Sequence, residues 1–325
     1  MYRNEPGTSI KVIGVSGGGM NAVNHMIDVG LPGLEFIAID FDGLTLEKSK
    51  APAKLQLTSL YPRLIFPEFG EPVRIWNKES ATARRKQIRK VIGKADVVFI
   101  VAGLGGDVGS GIAPVIAETA RETGALTIAV TTRPFSFEGR ESATVAEHGI
   151  NELRSCVDTL IVIPLDGILK TSDNKEMTVS EAFDLADDLL WQAVWCIVTP
   201  IAMPHSCMTH LDLGDISPLF KAETGRARIG ILTYGWASGE NQVTNSTRML
   251  ISCPFLKKPI KEARAVLATI SVMTDPEIPR PEIREARDTL VALANPGAEV
   301  LYSATLVENQ PGDICITAIC VYDEV

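Results

Sequence analysis

The feature that most constrains this chain is the alternation, in its first half, of short apolar runs with longer amphipathic stretches. Near-continuous apolar strands joined by helical crossovers are typical of a parallel sheet that is covered on both faces. Ligands bind such sheets at the carboxyl ends of the strands. The predicted strands are Ile10–Val15, Glu35–Asp40, Asp96–Ala102, Leu126–Thr131 and Asp158–Pro164, and the predicted helices between them include Asn21–Val29, Ala81–Ile92 and Ala113–Thr123.

A long helix and a second domain are predicted beyond this sheet. Apolar residues recur at three- and four-residue steps over Ser180–Val198, with Ser180 or Thr178 as the N-cap and Pro200 as the end. The later pattern predicts an α+β domain. Its predicted strands are Arg228–Tyr234, Ala263–Ile270, Val300–Val307 and Asp313–Val321, and its helices are Glu240–Ile251 and Pro281–Leu293. The expected segments are 1–178, 179–200, 201–221 and 222–325.

Charge and cysteine content exclude several classes of protein. The 325 residues carry 31 Lys and Arg against 40 Asp and Glu, a net charge of −9, which disfavours nucleic-acid binding by phosphate neutralisation. The 6 cysteines form no C-x-x-C pair, so a disulfide scaffold or zinc ribbon is disfavoured and a reducing cytoplasm is expected. The N-terminus lacks the apolar segment of a secretory signal, and no uninterrupted apolar run reaches membrane-spanning length.

Two glycine-rich loops follow predicted strands, at Gly14–Asn21 and Gly103–Gly111. Glycine lets the backbone approach a ligand closely, and the start of the following helix offers free N–H groups to a phosphate. The first loop is neither G-x-G-x-x-G nor a P-loop with its G-K-[ST] ending. Two such loops at neighbouring strand ends predict a site for a polyphosphate.

The second of these loops, GGDVGSG, resembles the GGGTGTG hallmark of the tubulin/FtsZ family. Other segments resemble FtsZ in the same order along the chain: KVIGVSGGGMNAVNHMI, FIAIDFDGLTL, GALTIAVTTRPFSFEGR, VDTLIVIP, AFDLADDLL, HLDLGDI and YGWASGEN…CPFL. The resemblance implies an α/β fold with a Rossmann-like GTP-binding domain over 1–178, a central helix over 179–200, a catalytic loop over 201–221 and a second α+β domain.

The resemblance also implies a function and a set of nucleotide contacts. It implies a cytoskeletal or cell-division protein that binds GTP or GDP, with Mg²⁺, and assembles head to tail. Glu138 would contact the ribose, Phe183 would pack on guanine, and Asp187 would accept its N1 and N2 hydrogens. The implied nucleotide-binding residues are Gly17, Gly18, Gly19, Met20, Asn21, Asp42, Gly105, Gly106, Asp107, Val108, Gly109, Ser110, Gly111, Glu138, Arg140, Phe183 and Asp187.

Two acids at a three-residue spacing, Asp212 and Asp215, match the family's catalytic loop. The resemblance implies that they position water on the GTP of the adjacent subunit, so that hydrolysis requires assembly. The alternative for this pair is a helix N-cap followed by a first-turn acid. The alternative for Phe183 is a core residue on the apolar face of its helix.

Several residues depart from the family pattern. The third loop, 63–72, is bulky and has one glycine, and Asp107 stands where the family has glycine. A carboxylate 4 Å from a phosphate repels it by up to ~4 kcal/mol, so Asp107 either points away or ligates Mg²⁺. Leu165 removes a base contact, Ser142 replaces an arginine for which Arg140 is a substitute, and His210 replaces an asparagine.

These departures leave alternatives open. A family member that binds nucleotide and forms dimers or filaments, with slow or no hydrolysis, is the second hypothesis, and a Rossmann-type oxidoreductase is the third. His205, Cys207 and His210 have metal-ligand side chains, but an ordinary loop is favoured. Trp191 and Trp195 are expected in the core or at a subunit contact.

Cysteines and the chain end complete the expectations. Cys315 and Cys320 are expected to be buried, reduced thiols. The sequence stops at Val325 without the linker and membrane-anchor-binding peptide of FtsZ proteins. We therefore expect an accessory filament former, in the cytoplasm, that binds copies of itself and a principal FtsZ as partners but neither nucleic acid nor membrane directly.

Overall fold

The computed structural model describes residues 8–31, 33–57, 62–65, 73–76, 83–171, 177–202, 209, 211–223, 225–273, 280–307, 310 and 312–323. Backbone contacts divide the chain into two compact units. The N-terminal unit runs to Trp191 and includes Lys221–Ala227. The C-terminal unit holds Gln192–Phe220 and the chain from Arg228 onward.

A six-stranded, wholly parallel sheet forms the centre of the N-terminal unit, in the order β8-β7-β6-β1-β2-β3. All five strands predicted for the first half are confirmed, with ends that shift by at most two residues, whereas β3 was not predicted. A separate antiparallel ladder joins β4 to β5. The strands are β1 Ile10–Val15, β2 Leu34–Asp40, β3 Ala53–Gln56, β4 Pro62–Ile65, β5 Val73–Trp76, β6 Val97–Gly103, β7 Leu126–Arg133 and β8 Thr159–Pro164.

The helices of this unit begin earlier than the sequence predicts at both glycine-rich loops. The first helix starts at Ser16 rather than Asn21, and the helix after β6 starts at Asp107 rather than Ala113. Glycine has a low helix propensity, so the sequence rule placed these residues in loops. The helices are α1 Ser16–Val29, α2 Gly43–Glu47, α3 Arg85–Ile92, α4 Asp107–Arg121, α5 Gly139–Arg154 and α6 Ile168–Thr171. Helix α7, Val179–Ala202, belongs to this unit up to Trp191 and to the C-terminal unit from Gln192 onward.

The start of α7 is fixed by a reciprocal cap. The Glu181 N–H donates to Thr178 Oγ1 at 3.3 Å, and the Thr178 N–H donates to the Glu181 carboxylate at 2.7 Å. This is a capping box, so Thr178 rather than Ser180 is the cap.

The end that was predicted for α7 at Pro200 is wrong, because the helix continues to Ala202. Proline cannot donate a hydrogen bond to the carbonyl four residues earlier, which here belongs to Cys196. The Thr269 hydroxyl donates to that carbonyl instead, at 3.1 Å. Among the described helices, α7 alone is long and apolar enough to cross a membrane, but 67% of its apolar stretch is buried inside the protein, as in a core helix.

The C-terminal unit is built on a mixed sheet in the order β11-β10-β12-β9, in which β10 and β11 are parallel and the other pairs antiparallel. The strands and helices predicted for this part of the chain are confirmed. Apolar side chains of β10, β12 and the flanking helices form its core. The elements are β9 Arg228–Ala237, β10 Ala265–Met273, β11 Glu299–Val307, β12 Ile314–Tyr322, α8 Leu213–Phe220, α9 Gln242–Ile251 and α10 Arg280–Leu293.

Candidate functional site

Two helix N-termini lie side by side at the carboxyl edge of the parallel sheet. Helix α1 follows β1 directly, and three residues separate the end of β6 from the start of α4. These two strands are neighbours, with Val15 opposite Ala102 at their ends. The first turns of both helices therefore direct N–H groups and positive dipole ends toward one edge of the sheet. This arrangement suits a ligand that carries more than one phosphate.

Glycines allow the two loops to pack against each other. A Cβ on Gly18 would lie 3.3 Å from the Gly103 Cα, and a Cβ on Gly19 would lie 2.1 Å from the Val101 carbonyl oxygen. Gly109 is equally tight against the Gly103 carbonyl oxygen, at 2.5 Å. These contacts are backbone to backbone, so no rotamer change can relieve a side chain placed there.

Gly17 and Gly106 face a different environment. Apart from their chain neighbours and the backbone of their own helix, no atom of the described residues lies within 4 Å of the position that a Cβ would take on either residue. The backbone at these two positions is therefore open to a ligand, while the neighbouring glycines hold the loops together. These open positions suit the phosphates of a nucleotide, because phosphate oxygens bind to exposed backbone N–H groups.

The other residues predicted for the first and fourth loops have distinct environments. Met20 is buried at 2% exposure, so only its backbone can face a ligand, whereas Asn21 is exposed. Ser110 is also buried, and its hydroxyl accepts the Gly105 N–H at 3.1 Å, which fixes the shape of the loop. Asp107 and Val108 are half-buried in the first turn of α4, and Gly111 is buried in the same helix.

Asp42, predicted from the second loop, caps α2. Its carboxylate accepts the Thr45 hydroxyl at 2.6 Å and the backbone N–H groups of Leu44 and Thr45 at 3.2 Å. The hydroxyl bond, followed by the Leu44 bond, lowers the pKa of this exposed carboxyl. Asp40, at the end of β2, was not predicted as a site residue. It is buried, it accepts the Asp42 N–H at 3.0 Å, and burial raises its pKa.

An aromatic cluster lies at the start of α7. Phe183 is 41% exposed, so the alternative of a core residue is wrong. Its ring meets buried Phe135 edge to face at 5.5 Å, and Phe135 stacks on exposed Phe137 at 4.8 Å. Neither Phe135 nor Phe137 was predicted as a site residue from the sequence. The exposed rings of Phe183 and Phe137 therefore offer apolar surface on which a nucleobase can stack.

Polar groups flank this aromatic cluster. The Glu138 carboxylate accepts the Phe135 N–H at 2.8 Å, and Arg140 is exposed in the first turn of α5. Asp187 lies one helical turn after Phe183 and is half-buried. Burial, followed by the charges of Asp184 and Asp188, raises the pKa of the Asp187 carboxyl to about 7.

The two candidate catalytic acids cap α8 in the C-terminal unit. The Asp215 N–H donates to the Asp212 carboxylate at 2.9 Å, and the Asp212 N–H donates to the Asp215 carboxylate at 3.0 Å. The helix-cap interpretation is therefore confirmed, and it leaves one oxygen of each carboxylate outside the cap. Both side chains are exposed. At the other end of α8, the buried Arg228 guanidinium donates to the Pro218 and Leu219 carbonyls.

Some of the predicted metal-ligand and third-loop residues cannot be placed. His205, Cys207, His210 and third-loop residues 66–72 lie outside the described residues. Within the described ranges, no cluster of three His, Cys, Asp or Glu side chains is arranged to hold a metal ion. Leu165 is buried, and the Ser142 hydroxyl donates to the Glu138 carbonyl at 3.3 Å.

The tryptophan and cysteine expectations have clear outcomes. Trp191 is half-buried and packs against His25. Cys320 is a buried free thiol, whereas Cys315 is free but only half-buried. Burial raises the pKa of Cys320 to about 12 and that of Cys315 to about 11, so both stay protonated near neutral pH.

Comparison with known proteins identifies the family to which this chain belongs. Residues 9–173 match the model of the tubulin/FtsZ family, GTPase domain. The chain belongs to the tubulin/FtsZ family. It is thus an FtsZ-like GTP-binding protein of the cytoskeletal type, as the loop motifs predicted, and the family as a whole has GTPase capacity. The Rossmann-type oxidoreductase hypothesis is wrong.

Solved structures agree with this assignment. An FtsZ dimer from M. jannaschii is 27% identical, with a TM-score of 0.83 over 98% of this chain and 88% of that chain. CetZ from Methanosaeta thermophila is 15% identical, with a TM-score of 0.72 over 98% and 88%. CetZ2 from Haloferax volcanii, in a GTPγS-bound protofilament, is 16% identical, with a TM-score of 0.70 over 96% and 92%. The two CetZ likenesses concern the fold alone.

Proposed function

We propose that this protein binds GTP, assembles head to tail into filaments, and hydrolyses GTP at the interface between subunits. The observation that carries the proposal is the exposed carboxylate pair Asp212 and Asp215, which a reciprocal cap holds at the start of α8. Self-association is supported by the FtsZ from M. jannaschii, whose solved structure is a dimer. We further propose that it works in the cytoplasm, in division or another filament-based task, where the free thiols would stay reduced.

The nucleotide has a proposed position in the N-terminal unit. Its phosphates would lie over the open backbone at Gly17 and Gly106, against the first turns of α1 and α4. Its base would stack on Phe183, and Asp187 would accept hydrogen bonds from guanine N1 and N2. Both guanine atoms are donors, and an ionised carboxylate pairs with them through two charge-assisted bonds. Glu138 and Arg140 would flank the ribose.

Hydrolysis would depend on positioning rather than on covalent chemistry. The carboxylate oxygens of Asp212 and Asp215 that lie outside the cap would accept hydrogen bonds from a water molecule and align it with the γ-phosphate of the neighbouring subunit. A bound Mg²⁺ supplies positive charge to the phosphates. The N–H groups at the starts of α1 and α4 do the same with fixed dipoles, at no cost in reorganisation.

A mixing experiment tests the proposed division of labour between subunits. Asp212→Ser keeps the nucleotide site but lacks one acid, and Gly17→Leu fills the open backbone position but keeps both acids. We expect each variant alone to release little phosphate from GTP. A 1:1 mixture should recover about a quarter of the wild-type rate, since one in four random head-to-tail contacts joins an intact site to intact acids.

Controls make the mixing experiment decisive. Thermal unfolding of both variants checks that they fold, and wild-type protein diluted with an equal amount of either variant sets the scale. Activity of Asp212→Ser alone at the wild-type rate would contradict a catalytic role for that acid. No recovery in a mixture that forms filaments would contradict hydrolysis across the interface.

A second candidate function is nucleotide-dependent assembly with slow or no hydrolysis. It is favoured by Asp107, whose carboxylate lies in the first turn of α4, where a phosphate would bind. Phosphate release and electron microscopy with GTP and Mg²⁺ separate the two functions. Filaments without phosphate release would favour the second.

A further inference from the structure

Three carboxylates crowd one face of α7 beside the proposed base position. Asp184, Asp187 and Asp188 are spaced at three and four residues, so they are neighbours on the helix surface. Asp184 is exposed, whereas Asp187 and Asp188 are half-buried. Like charges at this spacing repel one another, and burial strengthens the repulsion. A carboxylate that has to be ionised to bind guanine therefore lies next to two others that oppose its ionisation.

His25 of α1 lies against this group. Its Nε2 lies 2.8 Å from Asp188 Oδ1, and its ring meets the Trp191 ring at right angles, with centroids 6.2 Å apart. The side chains of His25 and Asp188 are 33% and 41% exposed, so the pair is partly shielded from water. Helix α1 also carries Gly17, Gly18 and Gly19 in its first turn. The contact thus joins the helix proposed to bind phosphate to the helix proposed to bind the base.

We propose that His25 is a positioning residue of the guanine site: it holds Asp188 in an ion pair and balances its charge, so that Asp187 can be ionised and accept the base. This inference rests on the proposed role of Asp187. His25 would touch neither the nucleotide nor the reacting atoms.

The electrostatics of the group give the sign of the effect. Burial raises the pKa of Asp187 to about 7, and the neighbouring charges of Asp184 and Asp188 add to the rise. Burial also raises the pKa of Asp188, and the positive charge of His25 opposes that rise. The charged groups that act on this pair of carboxyls are Asp184 from α7 itself and His25 from α1.

The ionised form of Asp187 accepts both guanine hydrogens, and the protonated form does not. Affinity for a guanine nucleotide should therefore be full above about pH 7 and fall about tenfold per pH unit well below it. Without the charge of His25, Asp188 would oppose the ionisation of Asp187 more strongly. The midpoint of the affinity profile would then move to higher pH.

The test is binding of GDP, without Mg²⁺, to the full-length protein at concentrations that keep it unassembled, from pH 5.5 to 8.5. His25→Gln keeps a hydrogen-bond donor but removes the charge. We expect its midpoint to rise by about one pH unit, which weakens GDP binding about fivefold at pH 7, with wild-type affinity restored at the alkaline end. Asp188→Asn should move the midpoint the other way, and the double variant should lie close to wild type.

Controls separate a positioning role from a structural one. His148, a half-buried histidine on α5, is the matched control, and His148→Gln should leave the profile unchanged. Equal weakening of GDP binding by His25→Gln at every pH would overturn the inference, because a packing defect has no reason to vanish at alkaline pH. An unshifted midpoint would overturn it as well. If Asp187→Ala still abolishes GDP binding in either case, the proposed function stands, whereas wild-type protein that fails to bind GDP overturns both.

Discussion

Gly17 and Gly19 differ by two positions but face opposite environments. A methyl group on Gly19 would lie 2.1 Å from the Val101 carbonyl oxygen. A methyl group on Gly17 would have no atom of the described residues within 4 Å, apart from its chain neighbours and the backbone of its own helix. We expect Gly19→Ala to lower the free energy of unfolding by about 1–3 kcal/mol, because the strand backbone must move. Gly17→Ala should keep or raise stability by up to ~1 kcal/mol, since alanine favours a helix, and should weaken GDP binding about tenfold or more.

Urea unfolding and GDP binding measure the two effects in the same preparations. The pair is a matched control, because the same methyl group is added to the same helix turn. A destabilised Gly17→Ala with normal GDP binding would contradict the assignment of that position to the ligand. A fully stable Gly19→Ala would contradict the close contact between α1 and β6.

Individual site residues show where prediction from sequence stops. The sequence identifies the glycine-rich loops, but it does not say which of their atoms face a ligand. Ser110, whose hydroxyl accepts a backbone N–H of its own loop, and Met20 are both buried. Both outcomes depend on how α1 and α4 pack against β6. The environment of Phe183 also depends on tertiary packing, because its ring contacts Phe135, which is distant in sequence.

At the scale of elements, the start of α8 allows the capping role of the Asp212 carboxylate to be tested apart from its proposed chemical role. Asp212 caps the helix, and serine is an equally good N-cap. We expect Asp212→Ser to change the free energy of unfolding by less than about 0.5 kcal/mol, and Asp212→Ala to cost about 1 kcal/mol. Both should lower phosphate release at least about 100-fold, because neither retains a carboxylate to hold water.

Thermal unfolding and phosphate release on the same samples test this prediction. Asp215→Asn is a useful companion, because its amide oxygen can still accept the Asp212 N–H of the cap. Normal phosphate release by Asp212→Ser, together with slow release by the less stable Asp212→Ala, would mean that the acid only caps the helix. The slow or absent hydrolysis considered above would instead appear in the wild-type protein.

The ends of elements were harder to predict than their existence. Pro200 was expected to end α7, and local rules support that expectation because proline leaves the Cys196 carbonyl without its helical partner. The helix continues past Pro200, and the Thr269 hydroxyl, 73 residues after Cys196, donates to that carbonyl. The glycine-rich starts of α1 and α4 were missed for an analogous reason. Tertiary contacts supply what local propensity lacks in each case.

At the scale of the whole molecule, the architecture follows from patterns that single residues do not disturb. Continuous apolar runs predicted strands buried on both faces, and the core of the N-terminal unit surrounds β1 and β6 in this way. The ordering of motifs predicted the family, which the match over residues 9–173 shows. Which atoms of that site face a ligand depends on packing, so the fold was more predictable than the site.

The net charge of −9 bears on assembly rather than on the fold. In the proposed filament, each added subunit would bring the same excess of negative charge. The Debye length falls from about 30 Å at 0.01 M salt to about 8 Å at 0.15 M. We therefore expect the critical concentration for GTP-dependent assembly to fall at least about twofold over that range, because screening weakens repulsion between subunits. Sedimentation of filaments at each salt concentration measures this critical concentration.

Two controls separate screening from other effects of salt. Choline chloride in place of NaCl controls for specific ion binding, and the GDP affinity of unassembled protein controls for effects on the nucleotide site. A critical concentration that rises with salt would show instead that complementary charges across the interface outweigh the net repulsion.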